Sequence, residues 1–372
     1  MPPSRRKACL ACVQVKRRCD KTVPQCRRCL AKKIHNDFFG VGLDPFNLAS
    51  MAQEDVVFSS AGIQDLVAQQ TPNNTIRHIT SDPGPTQARV DFAAKRLVQI
   101  PKTFASLGQA MFIHRASFLD SQGPTPPALQ DALSACALYC LKTPMNKDLV
   151  FSNLEHKRQQ LLTRTDHLAA SQTDLLAALQ ALVLYQIIGL FDGDVRLRAT
   201  AEADEHVVMT WATQLRARTP YALDPPCSTA EQGEGEGGEE ARFRPQIAWR
   251  RWLIEESSRR TVITAFLLKG VYHFLKFGFD IAPDLRLSFV AQAALWHAQS
   301  EACWRRACGE RELLLVQVPR WDEAMVRAQP ADLEELGVLL MAMLKGVDAT
   351  RDWLGQSYAV RYGVEAPELG LM

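Results

Sequence analysis

Five cysteines lie close together near the amino end of the chain and are of the type that binds zinc. Within the first 29 residues they follow the order Cys9, Cys12, Cys19, Cys26 and Cys29. The first two and the last two each form a C-x2-C pair, and two such pairs are typical of a structural zinc site. An ordinary zinc ribbon lacks the additional Cys19, which indicates that more than one zinc ion shares the thiolates.

The same region carries a strong positive charge. Residues 1–33 contain eleven Lys or Arg side chains and one acid, Asp20, whereas the whole chain of 372 residues has a formal net charge of only +2. The remainder of the chain is therefore acidic. A concentrated basic segment on an acidic body favours a polyanion partner, such as double-stranded DNA, for that segment alone.

The residues between the cysteines resemble a known family. The stretch from Cys9 to Asp20 reads CLACVQVKRRCD, and Pro24 to Cys29 reads PQCRRC. Both resemble the fungal Zn2Cys6 binuclear-cluster transcription factors. The resemblance implies that six cysteines hold two zinc ions and that the first and fourth thiolates bridge both metals. Carried over by position, Cys9 and Cys26 bridge, Cys12 and Cys19 complete one zinc site, and Cys29 belongs to the other.

The sixth ligand departs from the family pattern. The resemblance implies a cysteine about seven residues after Cys29, where this chain has Asn36. A neutral amide oxygen is a poor zinc ligand, whereas the neighbouring His35 offers an imidazole nitrogen that zinc accepts well. Three readings stay open: His35 is the sixth ligand, the second zinc site is weak or capped by water, or the sequence carries a gene-model error. We favour a weakened or His35-completed second site.

The resemblance also implies roles for individual basic residues in DNA binding. A lysine near the end of the family's first helix reads guanine in a CGG-type triplet, and the matching residue is Lys16. Lysine can donate to the O6 and N7 acceptors of guanine. The other candidates are assigned to phosphates, which position the protein without reading sequence; they are Arg5, Arg6, Arg17, Arg18, Arg27 and Arg28.

The chain divides into three parts. Residues 1–36 are predicted to form the metal-organised module, which is too short to bury a core and depends on zinc for folding. Residues 37–86 have the mixed polar, Gly and Pro composition of a flexible linker. They contain no sustained heptad pattern, so a homodimer is possible but has no support from a coiled coil. Residues 87–372 are predicted to be an all-α regulatory domain, interrupted by an acidic, Gly-rich solvated loop at 228–240.

Helical patterns cover most of the third part. Pro126 and Pro127 open one helix, and the capping box from Ser171 to Asp174 opens a long apolar one. Residues from about Leu97 to Arg306 resemble the regulatory region of short Zn2Cys6 regulators linked to secondary-metabolite clusters. The residues that carry this resemblance include the run from Trp252 to Thr261, and they are expected to be core and capping residues of a helical domain. The predicted helices are Ala128–Leu141, Ser171 to Phe191, Thr200–Arg218, Ile247–Tyr272, Leu287–Ala307 and Ala331–Lys345.

Several other patterns are assigned to structure. The apolar window Leu175–Phe191 is shorter than the ~20 residues of a spanning helix, so we expect a buried core helix and no membrane partner. The start of the chain has no apolar run of a signal peptide, which predicts reduced cysteines. The glycines at 233, 235 and 238 match a dinucleotide fingerprint only as a string. Core roles are expected for Cys136, Cys140, Cys303, Cys308, Trp249 and Trp252. Glu202 and His206 share a helix face, but no third ligand accompanies them, so they are not assigned to a metal site.

The sequence therefore predicts a nuclear, zinc-dependent, sequence-specific DNA-binding transcription factor, with co-regulators or the transcription machinery as protein partners. The pattern of residues predicts no enzyme. One alternative is an adaptor that has lost DNA binding through Asn36 and acts by protein contact. A second is a helical enzyme with a basic tail, which would need a polar cluster inside a pocket of the helical body.

Overall fold

The computed structural model describes residues 84–117, 125–219, 239–278, 287–310 and 313–364. The predicted zinc module, residues 37–83 of the predicted linker and the Gly-rich stretch 228–238 lie outside these ranges. The linker was predicted to extend to residue 86, but the first described helix already begins at Gly84. Most described residues are helical, as expected for an all-α domain. The helices are α1 (Gly84–Leu107), α2 (Pro127–Cys140), α3 (Lys147–Arg164), α4 (Gln172–Phe191), α5 (Val195–Arg218), α6 (Glu239–Phe277), α7 (Ala293–Trp296), α8 (Glu301–Glu310), α9 (Trp321–Met325), α10 (Glu335–Lys345) and α11 (Val347–Arg361).

Helix α4 is the centre of the domain. Ser171 is the N-cap of α4, as the predicted capping box requires, because its hydroxyl accepts a hydrogen bond from the Asp174 amide at 3.1 Å. Every residue from Leu175 to Leu190 is buried, and α4 packs against α1, α2, α3, α5 and α6. Among the described helices it alone has the length and apolar composition to cross a membrane, but 89% of its most apolar window is buried within the domain. The prediction of a core helix is confirmed.

Helices α4 and α5 pack tightly against each other at a glycine. A Cβ atom on Gly189 would lie 2.8 Å from the Ala201 Cβ and 3.2 Å from the Leu197 carbonyl oxygen. Helix α5 begins at Val195, five residues earlier than predicted, because the Asp194 carboxylate caps the Arg196 and Leu197 amides at 2.9 and 3.2 Å. The missing side chain at 189 therefore permits the tight helix crossing.

Two sequence predictions are corrected. Residues 287–307 are not one helix: Ser288–Val290 form strand β1, which pairs antiparallel with β2 (Leu315–Gln317), before the short helices α7 and α8. A strand of three buried residues shows no alternation of apolar and polar side chains, so the sequence lacked the pattern that indicates a strand. The acidic loop was predicted to extend to Glu240, but α6 already begins at Glu239.

Two hydrophobic clusters form the interior. The larger surrounds α4 and includes most of the described helices. The smaller, which we call the tryptophan cluster, contains Trp249 and Trp252 of α6 together with Trp296 and Trp304. Both α6 tryptophans are buried, which confirms their predicted core role.

Candidate functional site

The residues predicted to bind zinc and DNA lie outside the described part of the chain. No geometry is therefore assigned to their side chains, and their roles stay predictions. They comprise the cysteines Cys9, Cys12, Cys19, Cys26 and Cys29 with His35, and the basic residues Arg5, Arg6, Lys16, Arg17, Arg18, Arg27 and Arg28.

Within the described ranges, no group of three or more His, Cys, Asp or Glu side chains is arranged to hold a metal ion. The expectation that the four cysteines of the helical body are buried is right for Cys136, where burial raises the pKa of the thiol. It is wrong for Cys140 and Cys303, which are exposed, while Cys308 is half-buried. These thiols lie near helix ends, where the apolar pattern does not fix which side faces solvent.

Glu202 and His206 do not form a joint site. Glu202 accepts a hydrogen bond from the Tyr272 hydroxyl and forms an ion pair with Lys276 at 2.7 Å. The Nδ1 atom of His206 instead lies 2.8 Å from the carbonyl oxygen of Ala203, on the exposed side of α5. The two side chains share a helix face in sequence but bind separate partners.

A group of buried charges lies on α6, where Arg259 and Arg260 follow Glu256 by about one helical turn. We call these three residues and Glu334 the polar junction. Glu256 and Arg260 are both 0% exposed, and they are joined by a hydrogen-bonded ion pair of 2.8 Å from Nε to Oε1. Arg259 donates to the other Glu256 oxygen at 3.0 Å. Charges this deeply buried are rare unless they are paired.

Arg260 connects segments that are far apart in sequence. Its Nη1 atom lies 2.9 Å from a Glu334 carboxylate oxygen and 3.2 Å from the carbonyl oxygen of Met111. Its Nη2 atom donates to the carbonyl oxygen of Val290 at 2.7 Å. The guanidinium group thereby holds together the segment after α1, strand β1 and the start of α10. A planar fork of five donors suits this role better than a lysine ammonium group.

The carboxylates of the polar junction also bind backbone groups. Glu256 Oε1 accepts a hydrogen bond from the Val290 amide at 3.0 Å. Glu334 is the N-cap of α10 and accepts from the Leu336 and Gly337 amides at 3.1 and 3.3 Å. A carboxylate at a helix N-terminus is favoured by the helix dipole as well as by these hydrogen bonds. The junction therefore fixes the beginning of α10 and the position of β1.

Aromatic side chains enclose the guanidinium group. The Arg260 Cζ atom lies 4.0 Å from the ring centre of Trp296, which is the distance of a cation–π contact. The His114 ring lies edge-on to Trp296, with centroids 5.2 Å apart. Burial lowers the pKa of His114 to about 4, and the nearby positive charges of His297 and Arg260 act in the same direction. His114 is therefore neutral at physiological pH.

The polar junction links separate segments of the fold and is not arranged as a reactive site. Its charged groups are directed at one another and at backbone amides or carbonyls, within fully buried surroundings. A helical enzyme would need such a cluster to face a pocket. The run from Trp252 to Thr261 was expected to supply core and capping residues, and Arg260 lies in the core, but its partners Met111, Val290 and Glu334 are too distant in sequence to be recognised.

A second feature is an open surface depression with a volume of about 460 Å³ between the α2–α3 and α4–α5 connections. We call it the basic depression. Lys142 forms an ion pair with Asp192, and Lys147 forms one with Asp194 at 3.2 Å. The hydrogen bond from the Leu197 amide lowers the pKa of Asp194, and Lys147 contributes to the same shift. Nothing in the sequence indicated this depression, because its two sides are about 50 residues apart.

Comparison with known proteins gives the class of the chain: it belongs to a family of fungal transcription factors. The relative that shows this is the transcription factor gsfR2 of Penicillium aethiopicum. The two sequences are 50% identical over 426 residues, and the alignment covers 100% of each chain. No family model matches the chain, and no solved structure matches it. The name of the relative points to regulation of transcription and not to catalysis.

Proposed function

We propose that this protein is a zinc-dependent, sequence-specific DNA-binding regulator of RNA polymerase II transcription that acts in the nucleus. Full-length similarity to a protein named a transcription factor supports the general class. The cysteine spacing from Cys9 to Cys29, beside eleven basic residues, supports zinc and DNA binding. This cysteine pattern is the observation that carries the proposal. The resemblance of residues from about Leu97 to Arg306 to short Zn2Cys6 regulators favours control of a secondary-metabolite gene cluster.

In the proposed mechanism, two zinc ions fold residues 1–36, and the basic surface of this module binds the major groove. Lys16 reads a guanine of a CGG-type triplet, while Arg17, Arg18 and the other arginines contact phosphates. The helical domain then presents surfaces to co-regulators. Its interior supports this division, because the buried charges of the polar junction serve its own fold.

The first test is a mobility-shift series with full-length protein on CGG-containing and scrambled duplexes. Lys16→Ala should cost ~1–3 kcal/mol on the CGG duplex and relax the preference at that base. Arg28→Ala, the matched control, should weaken binding to both duplexes alike, because a phosphate contact carries no sequence information. Equal loss on both duplexes for Lys16→Ala would refute its reading role.

A second candidate function is favoured by Asn36, which replaces the expected sixth cysteine. In this alternative the protein is an adaptor that no longer binds DNA and acts through protein contacts. Zinc content per full-length chain separates the two. Two zinc ions would support the DNA-binding regulator, and none would support the adaptor. If one of two ions is lost on His35→Ala, then His35 is the sixth ligand.

A further inference from the structure

Exposed apolar side chains lie on the segments that line the basic depression. Met145 is 96% exposed and Val195, which lines the depression, is 76% exposed. Leu141 and Leu149, at 69% and 67%, belong to the same α2–α3 connection and first turn of α3. Single exposed apolar residues are ordinary on protein surfaces, but here Val195 lines the depression and the other three lie within three residues of the lining lysines Lys142 and Lys147, which favours a site of interaction.

The charges within the depression are unequally engaged. Three cations line it, Lys142, Lys147 and Arg196, against the two carboxylates Asp192 and Asp194. Asp192 also accepts a hydrogen bond from the Tyr139 hydroxyl at 2.8 Å, and Asp194 caps α5. Both carboxylates are therefore committed to the protein itself. Arg196 is exposed and has no ion pair with a described residue, which leaves it open to an external anion.

The two lysines are held in place by an aromatic ring. The ammonium groups of Lys142 and Lys147 lie 5.3 and 5.1 Å from the ring centre of Phe151. Cation–π contacts of this kind orient both side chains along the wall of the depression. A partner therefore meets positioned cations next to the exposed side chain of Val195, an arrangement that typically gives both electrostatic steering and buried contact area.

We propose that the basic depression docks a short acidic segment of a partner protein that also carries apolar side chains. Its carboxylates would pair with Arg196 and share Lys142 and Lys147, while its apolar side chains would cover Met145 and Val195. The inference rests on the proposed function in one respect, because it assigns the helical domain the role of recruiting a protein. The occupant is chosen by charge: the lining carries one positive charge more than negative charge, and the exposed Arg196 has no ion pair with a described residue.

The test uses full-length protein and a fluorescein-labelled peptide of alternating aspartate and leucine, followed by anisotropy. Arg196→Glu and Met145→Ser should each raise the peptide Kd by roughly tenfold or more. The matched controls are Arg320→Glu and Val326→Ser. Their side chains are also exposed, but they lie immediately before and after α9 and do not line the depression. Equal binding by wild type and both depression variants would overturn the inference.

Further experiments test which features of the peptide are recognised and whether the depression binds nucleic acid instead. A peptide with asparagine in place of aspartate, and one with serine in place of leucine, should both bind at least several-fold more weakly. Binding that ignores either replacement contradicts the combined acidic and apolar recognition. If Arg196→Glu weakens binding to a scrambled duplex as much as to the peptide, the depression contacts nucleic acid, and the inference is wrong.

Failure of the docking inference is distinguishable from failure of the proposed function. A wild-type protein that binds the acidic peptide but ignores every duplex refutes DNA binding and leaves the docking site in place. A protein that binds the CGG duplex but no acidic peptide refutes the docking site alone. Circular dichroism and urea midpoints of Arg196→Glu and Met145→Ser should match wild type, because both side chains are exposed.

Discussion

Replacement of Arg260 by methionine is the sharpest test of the polar junction. Methionine keeps most of the side-chain length but removes the charge and all five donors. Glu256 and Glu334 would then share a buried site without the cation that lies 2.8 Å from one and 2.9 Å from the other. The carbonyl oxygens of Met111 and Val290 would each lose a donor.

The expected loss follows from these contacts. Removal of one partner from a buried ion pair typically costs ~3–5 kcal/mol, because the remaining charge stays buried and uncompensated. Glu256 keeps its bonds from Arg259 and the Val290 amide, and Glu334 keeps its helix cap, so we place the loss at about 3–5 kcal/mol and not above. This is a large part of the ~5–15 kcal/mol that stabilises an ordinary domain.

Urea unfolding followed by tryptophan fluorescence measures the change, because Trp296 lies directly on the Arg260 guanidinium group. The matched control is Arg251→Met, on the same helix, whose side chain is 73% exposed in an i, i+4 pair with Glu255. That variant should change the free energy of unfolding by no more than about 0.5 kcal/mol. If Arg260→Met cost less than about 1 kcal/mol, the junction would not hold the domain together, and the argument from burial would be refuted.

The coupling between Arg260 and Glu334 can be measured separately. Glu334→Gln keeps an oxygen for the α10 cap but removes the negative charge. In a double-mutant cycle, Arg260→Met with Glu334→Gln should cost less than the sum of the single variants by about 0.5–3 kcal/mol. Additive losses would show that the 2.9 Å contact contributes no pairwise energy.

Three other variants test the domain, each by urea unfolding. Gly189→Ala should destabilise it, because about 1–3 kcal/mol of crowding against Ala201 exceeds the ~1 kcal/mol gain in helix propensity; a stabilised variant would contradict the tight crossing. Ser171→Ala should cost about 1 kcal/mol by removing the α4 cap, whereas an exposed Ser134→Ala change should not. His114 takes up a proton near pH 6.5 in the unfolded chain but only near pH 4 in the folded chain. The free energy of unfolding should therefore fall by about 3 kcal/mol as the pH is lowered from 6.5 to 4. His114→Gln should flatten this pH dependence, and an unchanged slope would refute the role of His114.

Local chemistry explains which helices the sequence predicted well. Helix α2 begins at Pro127, where a proline is favoured at the first helical position. Helix α4 follows its capping box and ends at Phe191 as predicted. In both cases the signal lies within a few residues of the boundary. The start of α5 was missed because the capping carboxylate, Asp194, comes only two residues after Asp192, so the turn between the helices is very short.

Non-local contacts explain the misses. Strand β1 exists because Phe289 pairs with Val316 across a sheet of two three-residue strands, and no local pattern fixes such a pairing. Likewise, the run from Trp252 to Thr261 indicated core residues, but not that Arg260 would reach Glu334. Buried charges acquire partners through tertiary packing, which a single sequence does not display. The zinc module is the reverse case: its prediction depends wholly on local cysteine spacing.

The distribution of satisfied and open charges connects the fold to the proposed function. In the polar junction, the Arg260 guanidinium group is bound by two carboxylates and two carbonyl oxygens, so it holds segments of the fold together. At the basic depression, by contrast, Arg196 is exposed beside apolar side chains on connections that α4 and α5 hold in place. A domain that uses its deepest charges for its own fold and leaves an exposed cation at its surface is suited to binding a partner. This is the role expected of the helical part of a transcription factor.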